Sequence, residues 1–144
     1  MAFEVRRPSD ALGEKPKLSK FGRTVVTVAI VVALVVVGSV YAAVQANRAR
    51  DQLAQAVEDA IDRAEIACRN AVSAVGAGSA AADRVAEFGR QIDGKRLVTD
   101  KAAAAQEMIT YTLGLAASSQ AQVDELNGAR NRIVLALQKY QAAQ

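Results

Sequence analysis

The fold class this sequence predicts is all-α: a single N-terminal transmembrane helix that continues into an antiparallel helical hairpin or three-helix bundle. Three observations predict it. Residues Thr24 to Val44 carry no charge at all. From Gln45 onward, apolar residues recur in steps of three and four, as one face of a helix requires. Strong turn signals fall at only two places after the apolar run, and no stretch alternates with the period of a strand.

Residues 1–19 hold both prolines, Pro8 and Pro16, with mixed charge and little apolar content. Such a segment cannot bury a core, which predicts a flexible cytoplasmic tail. Its basic side chains can also meet anionic headgroups, although a topology signal explains them equally well.

The membrane helix is expected over residues 20–44, with the apolar run bounded by Thr24 and Val44. At 1.5 Å per residue a helix of that length crosses the ~30 Å hydrocarbon layer. In lipid only a helix satisfies its own backbone, so the run of Val and Ile does not argue for a strand. Lys20 and Arg23 flank one end, and Tyr41 sits near the other, where an interfacial aromatic is useful. Val40-Tyr41-Ala42 also fits a signal-peptidase site, but the apolar run is longer than the usual signal core, so the expectation is a retained anchor. Ala29 with Ala33, and Gly38 with Ala42, place small residues one turn apart, as helices that self-associate in lipid often do.

The formal net charge is +3. All of that excess lies before the span, where Arg6, Arg7, Lys15, Lys17, Lys20 and Arg23 outnumber Glu4, Asp10 and Glu14. The remainder is balanced, so the basic isoelectric point gives no indication of nucleic-acid binding. Lys and Arg are denser before the span than just after it, where Arg48 and Arg50 stand. This favours a cytoplasmic N-terminus and an extracytoplasmic domain over residues 45–144.

Within that domain the first helix is expected over about 45–75. Leu53, Val57, Ile61, Ala64, Cys68, Val72 and Val75 form its apolar face, and Asp59–Arg63 and Glu65–Arg69 are acid-first pairs one turn apart. Gly76-Ala77-Gly78-Ser79 ends it. A short helix follows over 80–92, with Val85, Phe88 and Ile92 on one side, and Asp93-Gly94-Lys95-Arg96 makes the next turn. The last helix is expected over 99–143, capped by Thr99 or Asp100, with Ile109, Thr112, Ser119, Val123, Leu126, Arg130, Ile133, Leu137 and Tyr140 on its seam. Gly114 and Asn127-Gly128 are its weak points. The expected packing sets Leu53, Val57 and Ile61 antiparallel to Val123, Leu126, Ile133 and Leu137, and leaves a second apolar stripe for a neighbouring chain.

The chemistry-bearing residues are few. There is no histidine and one cysteine, Cys68. A lone cysteine closes no internal disulfide, and without histidine the usual zinc and Cys–His catalytic sets are excluded. Cys68 reads as a small buried apolar residue, with an intermolecular disulfide or lipid attachment as the sharper alternative. Glu58, Asp59, Asp62 and Glu65 resemble half of a carboxylate-bridged metal site, but the Glu-x-x-His partner is missing, so a solvated face explains them. Gly76-x-Gly78 and Gly89 follow no strand and make no phosphate loop. Ser118-Ser119 has no histidine base. No catalytic residue, metal, cofactor or small-molecule substrate is therefore expected, and membrane lipid is the one partner the residues specify.

Three families offer comparisons. A span leading into a long helix resembles the b subunit of the rotary ATP synthase, whose domain is cytoplasmic and far more highly charged. A basic leader ending at Gly22 is similar to a type IV pilin precursor, but Arg23 and Thr27 stand where that processing motif has an aromatic or Met and a Glu. Leu126, Gly128, Asn131-Arg132-Ile133, Ala136 and Tyr140 resemble, in register, the terminal helix of the LemA family of bacterial membrane-anchored helical proteins. That resemblance covers one short stretch, and the family's Ile-Pro-Asn-Leu-Val-like segment has no counterpart here, so membership is not adopted.

The functional expectation is a non-enzymatic single-pass protein of the bacterial inner membrane, an assembly or scaffold subunit of an envelope complex, as a homo-oligomer or within a larger membrane complex. The alternatives are a spanin-like or exclusion-type envelope factor of a phage or bacterium, and a LemA-like membrane-anchored protein.

Overall fold

A computed structural model describes the backbone of residues 20–144 and the side chains from Val25 onward; the tail expected over 1–19 lies outside the described residues. All regular structure within them is helical: α1 (Lys20–Ala74), α2 (Ser79–Asp93), α3 (Val98–Leu115) and α4 (Gln120–Ala142). The chain divides into two units, Met1–Ala43 and Val44–Gln144, with α1 belonging to both.

Among the described residues the first unit contributes part of one helix and no buried side chain. Its large apolar side chains, from Val25 to Val40, are all exposed. The hydroxyl of Ser39 donates to the carbonyl of Val35 at 2.7 Å, so its one proton is used inside the helix. That is the arrangement a serine needs where water is absent.

The second unit is a bundle in which successive helices run in opposite directions. α1 ends at Gly76 and Gly78, whose φ angles of +63° and +89° are open to glycine and strained for other residues. Gly76 and Ala77 donate back to the carbonyls of Ser73 and Val72, closing the helix end. α2 then returns along α1 and brings Gly89 against the Glu65 side chain. Gly94 turns the chain, donating to the carbonyl of Arg90. α3 runs in the direction of α1, as two contacts show: Lys101 Nζ lies 2.7 Å from Glu58 Oε1, and Thr112 is hydrogen-bonded with Cys68. α4 comes back antiparallel, and the Arg50 guanidinium donates to the main-chain oxygens of Ala143 and Gln144, both at 3.0 Å.

The core draws on all four helices. α1 and α3 contribute mainly small residues (Ala60, Ala64, Ala67, Ala71, Ala102, Ala105), and the larger volumes come from Val57, Ile61, Val85, Phe88, Ile92, Met108, Ile109, Leu126 and Ile133. On α1 and α3 these small side chains alternate with the bulky Val57, Ile61, Met108 and Ile109, and the bulky residues of α2 and α4 pack into the same core. Each fully buried Leu or Ile contributes about 1.5–3 kcal/mol of burial energy.

One expected element is divided. The helix predicted over 99–143 is two helices, α3 and α4, separated at residues 116–119. Ala116 is fully buried and caps α3, donating to the carbonyl of Thr112, and Ser119 is extended at the start of α4. The break falls just after Gly114, one of the two expected weak points, and not at the other. Gly114 lies inside α3, and α4 runs unbroken through Asn127-Gly128. The bundle therefore has four helical segments, where the sequence suggested two or three.

Candidate functional site

Two features could carry function, and each belongs to one unit. In the first unit it is the apolar stretch of α1 that begins at Thr24 and ends at Val44. Among the described residues α1 is the one helix long and apolar enough to cross a membrane, and none of its most apolar stretch is buried. Ala29 and Ala33 make a shallow apolar concavity there, walled by Val25, Val28 and Val32. Gly38 has no atom near the position a side chain would occupy. So many exposed apolar residues on a bare helix would aggregate in water, so the length and composition suit a lipid environment.

In the second unit the expected packing residues fall into two groups. Val57, Ile61, Leu126 and Ile133 are fully or almost fully buried in one core cluster. Leu53, Val123 and Leu137 are half-buried, and Leu137 packs against that cluster. The α1–α4 seam is directly visible where Ala56, Ala60 and Ala136 line a groove beside Arg63 and Arg132. The free apolar stripe expected for a neighbouring chain is not there. Apart from the apolar stretch of α1, the exposed large apolar residues are Ile66, Leu97 and Leu135, which sit on three different elements. The large apolar residues of α2 and α3, among them Val85, Phe88, Ile92, Met108 and Ile109, are instead buried in the core.

Cys68 is fully buried. Burial pushes its thiol pKa up and nearby Glu65 adds to the shift, while the hydrogen bond with Thr112 pulls the other way. A thiol held neutral and out of solvent is neither a nucleophile nor accessible to lipidation in the folded bundle. Thr112, the one buried polar side chain named in the core, donates its hydroxyl proton to the carbonyl of Met108 at 2.8 Å. Among the described residues no three His, Cys, Asp or Glu side chains come close enough together to hold a metal ion.

The surface charges separate into engaged and unengaged. Arg69 pairs with Glu65, Arg90 with Glu87 and Lys101 with Glu58. Arg90, with Gln91, holds the Glu87 carboxyl below the usual range. Arg84 lies over the Phe88 ring, 5.0 Å from its centroid, Arg130 reaches Thr110, and Arg132 bonds the carbonyl of Gly128. Arg48, Arg63, Lys95, Arg96 and Lys139 make no such contact among the described residues. Of the two pairs expected from spacing, Glu65–Arg69 forms and Asp59–Arg63 does not, whereas Lys101–Glu58 depends on which helices lie side by side.

The chain matches no protein-family model, and no curated protein or solved structure shows significant similarity to it.

Proposed function

We propose that this is a non-enzymatic single-pass membrane protein in which the apolar stretch of α1 is the anchor and the bundle is a docking module for an envelope complex. The observation that carries the reading is the union, on one helix, of an exposed apolar stretch with a well-packed four-segment bundle. The tail faces the cytoplasm in this reading and the bundle lies outside the inner membrane, as the excess of Lys and Arg before the span favours. Membrane lipid is the first partner. Further copies of the chain, meeting through Ala29, Ala33, Gly38 and Ala42, or other membrane subunits complete the assembly. A bundle that turns back three times supports docking over the membrane-bridging alternative, for which an extended rod would be required.

The test is fractionation followed by proteolysis. In the native host the chain should stay with membranes through alkaline carbonate washing. Protease added outside spheroplasts should remove epitopes after Gln45 and spare one placed before Lys20. Release by carbonate refutes the anchor, and protection of the bundle refutes the orientation. Chemical crosslinking in those membranes should yield species larger than the single chain; recovery of the single chain alone refutes assembly.

A further inference from the structure

We propose that α3 and α4 are one helix folded back on itself at residues 116–119, and that the fold-back is exchangeable: the break straightens when a second copy of the chain supplies its own α4 to the seat on α1 and α3. Three observations support this, all within the bundle, and none rests on the anchor reading. The first is register. Ile109, Thr112, Ala116, Ser119, Val123 and Leu126 follow one another in alternating steps of three and four. The seam of α3 therefore crosses the break and continues along α4 in phase, which a loop does not require.

The second observation is that nothing local commits residues 116–119 to a turn. The turn after α1 is committed by the positive φ angles of Gly76 and Gly78. Here the residues are Ala-Ala-Ser-Ser. Ala116 is near helical at φ −94° and ψ 8°, and Ser119, at φ −114° and ψ 100°, departs from a helix mainly in ψ. Ser119 makes no side-chain cap bond, α4 has no acid in its first turn, and α3 has no base in its last. The amide of Ala116 already makes the helical bond to Thr112, and the turn's own backbone bond runs from the amide of Ser119 to the carbonyl of Ala116. A straight helix gives up that turn bond and supplies partners for the amides of Ala117 and Ser118 and of the first turn of α4.

The third observation is what holds the fold-back instead. Leu126, Ala129 and Ile133 sit in the core, Arg130 reaches Thr110, and Arg50 holds the last carbonyls of α4. All of these contacts are made by α4 beyond the break, so an identical α4 from another copy makes them unchanged. That identifies the occupant. Exchange keeps the packing and adds the helical bonds, whereas straightening alone loses the packing. Because α3 runs with α1 and α4 runs against it, the two bundles of an exchanged pair point in opposite directions, with their Val44 ends apart.

Crosslinking of the full-length protein in mild detergent tests the exchange. In a Cys68→Ala background, which removes the sole native thiol, Ala60→Cys and Ala136→Cys place one thiol on α1 and one on α4 at the groove they share, and a short bis-maleimide joins them. In the folded-back chain the link is internal, and in dilute protein this product should dominate. In an exchanged pair the link joins two chains. Glu58→Cys with Lys101→Cys is the companion set, on α1 and α3, which stay together in either form; it should link internally at every concentration. Ser118→Ala with Ser119→Ala favours the straight form roughly fivefold in each chain, and so raises the pairing constant roughly 25-fold, because both chains straighten. Ala117→Gly with Ser118→Gly should lower it on the order of 100-fold. Linked pairs from the α1–α4 thiols should therefore increase with protein concentration, increase further with the two Ala substitutions and vanish with the two Gly substitutions. Pairs indifferent to both sets of substitutions overturn the exchange, as do pairs formed in equal yield by the α1–α3 thiols. Internal links alone, at every concentration and with the two Ala substitutions in place, overturn it as well.

Discussion

Leu126 and Leu135 lie on the same helix and differ in one respect: Leu126 is fully buried, and Leu135 is 57% exposed. Truncating each to alanine removes the same atoms, so the difference between them isolates packing. Leu126→Ala should destabilise the bundle by about 2–5 kcal/mol, through lost burial and the cavity left behind. Leu135→Ala should change stability by less than about 0.5 kcal/mol. The protein provides its own reporter. Cys68 is its sole thiol and is fully buried, so a thiol reagent reaches it only when the bundle opens. In mild detergent at fixed pH and low reagent concentration, the labelling rate is proportional to the opening equilibrium. At 1.4 kcal/mol per factor of ten, Leu126→Ala should accelerate labelling by roughly 30- to 5,000-fold, and Leu135→Ala by no more than about twofold. Equal rates for the two variants would refute the reasoning, since Cys68 would then be opening by local fraying that does not involve α4.

Three further outcomes follow from single positions. Gly78, at φ +89° and ψ 174°, occupies a region that is essentially closed to side chains, so Gly78→Ala should lower the unfolding midpoint by the equivalent of about 1–3 kcal/mol in urea titrations followed by circular dichroism. Gly114 is helical with open space around it, so Gly114→Ala should raise stability by about 0.5–1 kcal/mol in the same titration. The Cys68 thiol has a higher pKa in the folded chain than in the unfolded one. Its contribution is therefore complete below the unfolded value of about 8.5 and declines as pH rises above it, because the unfolded chain releases its proton first. Urea midpoints measured from pH 8 to 10 should fall by at most ~1.4 kcal/mol per pH unit, and this thiol component should vanish in Cys68→Ala.

Much of the architecture was legible in local signals. Glycines at 76 and 78 marked the end of α1 and take the positive φ that favours glycine, and Asp93-Gly94 marked the end of α2, although Gly94 itself keeps right-handed helical angles there. The apolar run announced itself by length alone. The division between α3 and α4 was not legible in the same way. It contains no Gly or Pro, and its one signal is Ser118-Ser119, with Ser119 extended where a helix can begin. Burial of Ala116 stabilises that break, and only tertiary packing reveals it. The four deeply buried seam residues Val57, Ile61, Leu126 and Ile133 followed from periodicity. Of the cation pairings, Glu65–Arg69 followed from its spacing, but Lys101 with Glu58 did not, being forty-three positions apart.

The seating of α4 on α1 has a consequence for the order of events during synthesis. Arg50 reaches the carbonyl of Ala143, ninety-three positions later, so the flank of α1 bearing Ala56 and Ala60 has no cover until nearly the whole chain has been made. α2 and α3 can settle on α1 as each is translated, through neighbours close in sequence. The remaining flank must wait for α4, and until it arrives a half-built apolar surface stays open to premature association.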